Sequence, residues 1–284
     1  MGKRVVIDTS TGGLDYYHEP HNIEVLRIRI FLNDVGYADG QDLTAEKFYK
    51  ILRTQPDLVP KTSQPSVGEV VSFIKALHEE KGYDEFYVTT LSSKLSGTYN
   101  SVVLAAKALE PEIKVHAFDT LSVCFSEGLF ALEADKMIEA GASFEAIDEK
   151  LTEMRKKNTI FFAVDSLRYL VLNGRLSGAA AFVGKLLKIK PILQVQETGH
   201  IVSIEKIRNI KVALTAIAGK VKDYVDGRPY QAYILYTGNP SLKAHFENIL
   251  KEELGLENLY EAPNTPVVGA HIGPDVVGIG VFLK

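Results

Sequence analysis

Cysteine is almost missing from this sequence. Cys124 is the single one in 284 residues. No disulfide can close within the chain, and a reducing compartment is expected. Flanked by Val123, Phe125 and Leu129, it reads as a small core residue and not as a nucleophile. Long apolar runs are missing too. No stretch approaches the roughly 20 residues that cross a bilayer, and Met1-Gly2-Lys3-Arg4 runs directly into a strand pattern instead of a leader. The expected location is cytoplasmic, with at most transient membrane contact. There is no basic excess: the formal net charge is -4. The dense basic run Arg155-Lys156-Lys157 closes a predicted helix, where cations complement the dipole. Nucleic acid is therefore not an expected partner. The seven histidines are scattered, with no His-x-x-x-His pair and no Cys–His cluster, so no metal site is expected. Gly12-Gly13 lacks the Gly-x-Gly-x-x-Gly pattern of dinucleotide sites. Gly178 to Gly184-Lys185-Leu186 fails the phosphate-loop pattern in spacing and in its missing hydroxyl. No cofactor is expected.

What is present matches an ordinary globular chain, 46% hydrophobic and 24% charged. Its length exceeds one comfortable core, so two domains are expected. In the first half, strands read over residues 4–7, 23–32, 86–91 and 114–118. Residues 34–40 read as a turn-rich loop. Helices read over 44–53, after the Ser66/Glu69 capping box, over 99–109, 122–140 and 144–157. This alternation predicts an α/β fold whose sheet is mostly parallel and flanked by helices. The second half differs. A strand at 159–164 is followed by a short helix at 166–172 broken at Asn173-Gly174, then by an apolar helix at 179–187. A hairpin turns at Glu197-Thr198-Gly199-His200. A helix at 211–225, a strand at 230–236 and a helix at 241–254 follow. From 266 onward the pattern gives a strand, the motif Gly269-Ala270-His271-Ile272-Gly273-Pro274, and a final strand. This predicts an α+β domain with a mixed sheet, and the boundary is placed near Asn158, giving domains 1–158 and 159–284.

Between the strand at 86–91 and the helix after it lie Ser92, Ser93, Ser96, Gly97 and Thr98. A helix start offers free N–H groups and the positive end of a dipole, which suits an anion. Capping by Ser96 or Thr98 would account for one hydroxyl; several remain. Asp8-Thr9-Ser10-Thr11 ends the first strand, where open sheets gather ligands, or forms an Asx turn. Thr62, Ser63 and Gln64 lie upstream of the Ser66 cap and are otherwise a polar loop. Arg175, near Gly174 and Gly178, presents a fork of donors for a carboxylate; alone it would be a surface ion pair. His271 sits among small residues; alone it would be a structural hydrogen bonder. Taken together, Thr62, Ser93, Arg175 and His271 point to anion recognition. A rival is a serine hydrolase using Ser93 or Ser96, with His271 as base and Asp8 or Asp119 as orienter. The nucleophile elbow Gly-x-Ser-x-Gly and a Ser-x-x-Lys pair are both absent. A third reading, action on small phosphorylated metabolites, requires a polar pocket.

The stretches Asp8-Thr9-Ser10-Thr11, Thr62-Ser63-Gln64-Pro65-Ser66, Leu91 to Ser101, Asn173-Gly174-Arg175-Leu176, Lys190-Pro191-Ile192 and Gly269 to Pro274 are highly specific in this order. The chain resembles the DegV family of bacterial fatty-acid-binding proteins along nearly its whole length. The resemblance implies a non-enzymatic, two-domain carrier that holds one long-chain fatty acid between its domains. It implies that Thr62, Ser93, Arg175 and His271 bind the carboxylate, with Ser63 and Gly97 beside them. It also implies a partner, an ATP-dependent fatty acid kinase that makes acyl phosphate for phospholipid synthesis. The run Ala179-Ala180-Ala181-Phe182-Val183 with Leu186 and Leu187 is a candidate wall for the tail. Two departures stand out. Asp-Thr-Ser-Thr replaces the more usual Asp-Ser-Thr and keeps the hydroxyls. Asp275 stands where glycine is usual, and its carboxylate either favours a charged His271 or faces solvent.

Overall fold

The computed structural model describes residues 2–178 and 189–284. The expected helix over 179–187, and with it the candidate tail wall, lies outside the described residues.

Strand β1 (Arg4–Thr9) is buried from Val5 onward. It pairs in parallel with β2 (Ile23–Leu26) on one side and β6 (Glu85–Thr90) on the other, and β6 pairs in parallel with β7 (Lys114–Asp119). The result is a four-stranded parallel sheet in the order β2-β1-β6-β7. Alternation along the strands divides their side chains between two cores. Val5, Ile7, Phe86 and Val88 pack under α2 (Val67–Lys81) and α3 (Thr98–Leu109). Val6, Tyr87 and Phe118 face the other way, toward α4 (Phe125–Glu139) and α5 (Phe144–Lys156).

A second, six-stranded sheet closes that middle layer from the far side. It consists of β8 (Asn158–Val164), β9 (Ile192–Val195), β10 (Ile201–Glu205), β11 (Tyr230–Tyr236), β12 (Tyr260–Pro263) and β13 (Val276–Leu283), in the order β10-β9-β8-β13-β11-β12. Every neighbouring pair is antiparallel except β11/β12. Ile160, Phe162, Val195 and Tyr233 join the middle core, whereas Phe161, Ile234, Ile279 and Val281 pack under α7 (Ile210–Val225) and α8 (Pro240–Leu254). The mixed second sheet and the parallel first sheet are those expected from the sequence.

A small third sheet was not foreseen. The expected single strand over 23–32 breaks at Arg27 and Ile28. Arg27 turns to Asp15 and to the Asp39 carbonyl, and the Ile28 N–H donates to Ser10 Oγ at 3.2 Å. The chain thereby leaves the parallel sheet and continues as β3 (Arg29–Leu32). The expected loop over 34–40 contains β4 (Val35–Ala38), joined to β3 through Asn33 and Asp34. Both have positive φ, 47° and 67°, the conformation of a two-residue type I′ hairpin turn. β5 (Lys61–Ser63) pairs with the other edge of β3. Helix α1 (Ala45–Thr54) begins at its Thr44 cap, as the sequence indicates. The remaining described helices are α6 (Arg168–Leu172) and α9 (Pro266–Ile272). The latter corrects the strand expected after residue 266. Thr265 and Pro266 supply an extended cap and a proline at the first helical position, a helix start and not a strand.

Candidate functional site

Where the small sheet, the C-terminal ends of the parallel strands and the inner face of the second sheet converge, they enclose a cavity of about 280 Å³. This is near the lower end of ligand pockets, which run from about 300 Å³ upward. Its body is apolar, with Ile160, Phe162 and Val195 on one wall and Ile28, Leu91 and Val268 on others. Thr62, His271 and Arg175 stand together in its lining, and Asn264 is a further polar group there.

Thr62 sits on β5, opposite Ile30 of β3. Its Oγ1 is 2.9 Å from Nε2 of His271 on α9. Burial, with the nearby Arg175 charge adding to it, pushes the His271 imidazole down to about 3, so the ring is neutral at physiological pH. Nδ1 is buried and has no partner among the described residues.

Arg175 reaches the same place through a local motif. Gly174 takes φ 69° just past α6. Its N–H donates to the Val171 carbonyl, and the Arg175 N–H donates to the Leu170 carbonyl at 2.9 Å. This is a Schellman ending, which fixes where the arginine leaves the helix. The guanidinium donates from Nε to the Leu95 carbonyl at 3.2 Å and from Nη1 to the Asn173 carbonyl. Asn173 Nδ2 in turn donates to the Ala270 carbonyl at 3.0 Å, tying the turn to α9 beside His271. No carboxylate pairs with Arg175 among the described residues, and burial lowers its pKa. A half-buried cation held only by carbonyl dipoles is poised for an anion.

The serine stretch divides by role. Ser92 Oγ donates to the Gly199 carbonyl at 2.8 Å, clamping the hairpin between β9 and β10. The Ser93 N–H donates to Asp119 Oδ1 at 3.2 Å. Ser93 is half-buried and does not line the cavity, whereas Ser96 does. Ser96 Oγ lies 2.8 Å from Thr98 Oγ1 and accepts from the Thr98 N–H. Gly97 is the cap residue of α3, without side-chain capping. A Cβ there would strike the Gln64 carboxamide, whose Nε2 donates to Ser101 Oγ at 3.1 Å. Ser63 lines the cavity rim with Gln64.

Asp275 does not act on His271. Its carboxylate accepts from Asn239 Nδ2 at 2.7 Å, and the imidazole is driven toward neutrality, not toward the charged form. The triad of a hydrolase is likewise unassembled. Asp8 accepts from Thr89 Oγ1, and Asp119 accepts from the N–H groups of Ser93 and Leu121. Neither carboxylate bonds to His271. Among the polar lining residues, Cys124 and Asn264 were not singled out as site residues by sequence reasoning, and Thr11 was named only within the first strand-end turn. Cys124 is buried as expected, but in the cavity wall at the start of α4, with φ 59°. The proline two residues after Asn264 marks the start of α9 but does not mark Asn264 as a site residue.

A sequence model described as "Uncharacterised protein, DegV family" matches residues 3–284. The chain belongs to the DegV family. It is 34% identical over 283 residues to Protein DegV of Bacillus subtilis, covering 98% of both chains. The DegV structure described as a fatty acid binding protein from Bacillus subtilis superimposes with a TM-score of 0.87 at 31% identity, over 100% of both chains. A stearic acid-binding protein from Eubacterium ventriosum superimposes with a TM-score of 0.87 at 25% identity, over 100% of this chain and 99% of the other. The DegV arrangement of a parallel and a mixed sheet is therefore the arrangement found here.

Proposed function

We propose that this chain is a cytoplasmic carrier that binds one long-chain fatty acid between domains formed by residues 1–158 and 159–284. It performs no bond-making step and requires no cofactor. It presents the acid to a separate ATP-dependent fatty acid kinase for conversion to acyl phosphate. The binding role has the support of the two structural relatives whose descriptions name fatty acids. The kinase step rests on the family resemblance.

One observation carries the reading: a half-buried guanidinium, paired with no carboxylate among the described residues, stands beside Thr62 and His271 in the wall of a largely apolar cavity. Burying a chain of about fifteen methylenes is worth on the order of 12 kcal/mol before ordering costs. The carboxylate would otherwise oppose burial, and Arg175 supplies its counter-charge. Thr62 and the neutral His271 supply hydrogen bonds, Ser93, with its hydroxyl unpartnered among the described residues, stands close along the chain, and Gly97 and Ser63 shape the approach. The apolar walls disfavour a small phosphorylated metabolite. Native mass spectrometry and organic extraction of gently purified protein test the reading. A copurified or readily acquired long-chain acid is expected; protein that neither carries nor takes one up would refute it.

A further inference from the structure

Helix α9 presents one face to the cavity over its whole length. Val267, Val268, His271 and Ile272 line it, a spacing of three and four residues that marks a single helical stripe. His271 stands near the C-terminal end of that stripe. Asn264 lines the cavity from just before the helix, ahead of the extended Thr265 cap, and Pro266 to His271 alone rise about 7.5 Å.

Asn264 is 2% exposed, and its orientation is fixed. Its backbone N–H and its Nδ2 both donate to the Tyr236 carbonyl, at 2.8 and 3.2 Å. Its own carbonyl accepts from Tyr49 Oη at 2.9 Å. A flipped amide would set oxygen against oxygen at Tyr236. Oδ1 is therefore the free end, and it is buried with no partner among the described residues. A buried acceptor left unpaired costs about 1–3 kcal/mol.

We propose that the cavity is built for an acyl chain carrying an alcohol near its middle, and that Asn264 Oδ1 accepts from that hydroxyl. This rests on the reading of the chain as a fatty-acid carrier and narrows its ligand class to hydroxy fatty acids. At ordinary carbon bond lengths and angles an extended chain advances about 1.25 Å per carbon. With the carboxylate at His271 and Arg175, a span of about 7.5 Å or more places the hydroxyl at about carbon seven or beyond, in the middle of a long chain. The class of reaction supplying such a ligand is hydration of a mid-chain double bond.

The test compares delipidated protein against stearic acid, its 10-hydroxy, 2-hydroxy and 18-hydroxy derivatives, and the 10-methoxy ether, by calorimetric competition. The 10-hydroxy acid is expected to bind roughly tenfold tighter than stearic acid. The other two alcohols and the ether, which lacks a donor, should show no advantage. Asn264→Leu should erase the preference while leaving stearic acid bound. The positional series on the unmodified chain decides the matter even where that variant fails to fold. Stearic acid binding as well as or better than the 10-hydroxy acid, with a water on Oδ1 in the crystal, overturns this proposal alone. Failure of every acid to bind overturns the carrier reading with it.

Discussion

At the scale of single residues, Arg175 and His271 divide the handling of charge. Arg175 has carbonyl partners but no acid, so its charge is free for a ligand. Arg175→Ala should weaken binding of a long-chain acid by tenfold or more, measured by calorimetry, and weaken the matching methyl ester far less. Equal losses would mean that the arginine acts through folding. His271 has the opposite character. Its folded-state pKa of about 3 lies below the ordinary value of 6.5. It therefore contributes stability that is present above about 6.5 and lost as pH falls toward 3. In the ligand-free protein its ring resonances should show no titration between about pH 5.5 and 7.5, where an ordinary histidine titrates. An inflection near 6.5 would place the ring in water. Sequence reasoning grouped Thr62, Ser93, Arg175 and His271 because each lies in a loop or at an element end and none has a core role. In the structure Thr62 touches His271 and Arg175 lines the same cavity, while the serine in the cavity wall is Ser96. Spacing alone could not choose among neighbouring serines, because the choice depends on how the turn before α3 winds. Asn264 was illegible for a different reason: an isolated amide carries no signal until a partner is seen to be missing.

At the scale of elements, α9 shows what pattern does and does not reveal. Its seven residues are almost entirely buried, so no polar face announces a helix, and a short apolar run reads equally well as a strand. Proline at the first helical position was the available cue. By contrast, the Ser66/Glu69 capping box was plain in the sequence and is present as read. The start of α9 has a feature only tertiary structure reveals. Thr265 makes no capping bond, and Asp39, from a distant loop, accepts from the Val267 N–H at 3.2 Å. Burial pushes the Asp39 carboxyl up to about 7, against the Val267 N–H, which holds it down. With the folded value above the unfolded one, its contribution is full below pH 3.8 and is lost as pH rises toward 7. A carboxyl moved from 3.8 to about 7 changes stability by about 4 kcal/mol across that range. Asp39→Asn should therefore flatten the fall in stability between about pH 4 and 7, followed by urea unfolding across that range. A variant whose pH profile parallels the parent would show that Asp39 is ionised throughout.

At the scale of the molecule, the two sheets were legible and their meeting was not. Alternation of strands and helices up to residue 157 announces a parallel sheet, and the hairpin after residue 192 announces a mixed one. But β8 is buried at every position, and a strand covered on both faces reads as a plain apolar run. Nothing local says that one face meets α7 while the other shares a core with α4. The cavity opens within that shared layer, so a bound acid would touch both sheets and join their stabilities. Binding should raise stability by mass action, about 2.7 kcal/mol at a hundredfold excess over Kd. Cys124 gives a sharper readout, since it is the sole thiol in the chain and lies in the cavity wall. Burial pushes its pKa well above the ordinary thiol value, so thiolate is scarce and reaction in the folded state is slow. An alkyl chain along Val123 and Ile160 would cover the sulfur directly. Labelling of Cys124 by a small maleimide should then slow in proportion to occupancy once the acid exceeds its Kd. Direct cover of the sulfur and global stabilisation both follow the ligand-to-Kd ratio, so a short-chain acid compared at matched occupancy separates them. Protection by the long acid and not by the short one places the chain against Cys124. A labelling rate unchanged by saturating stearic acid would mean that the tail takes another route through the middle layer.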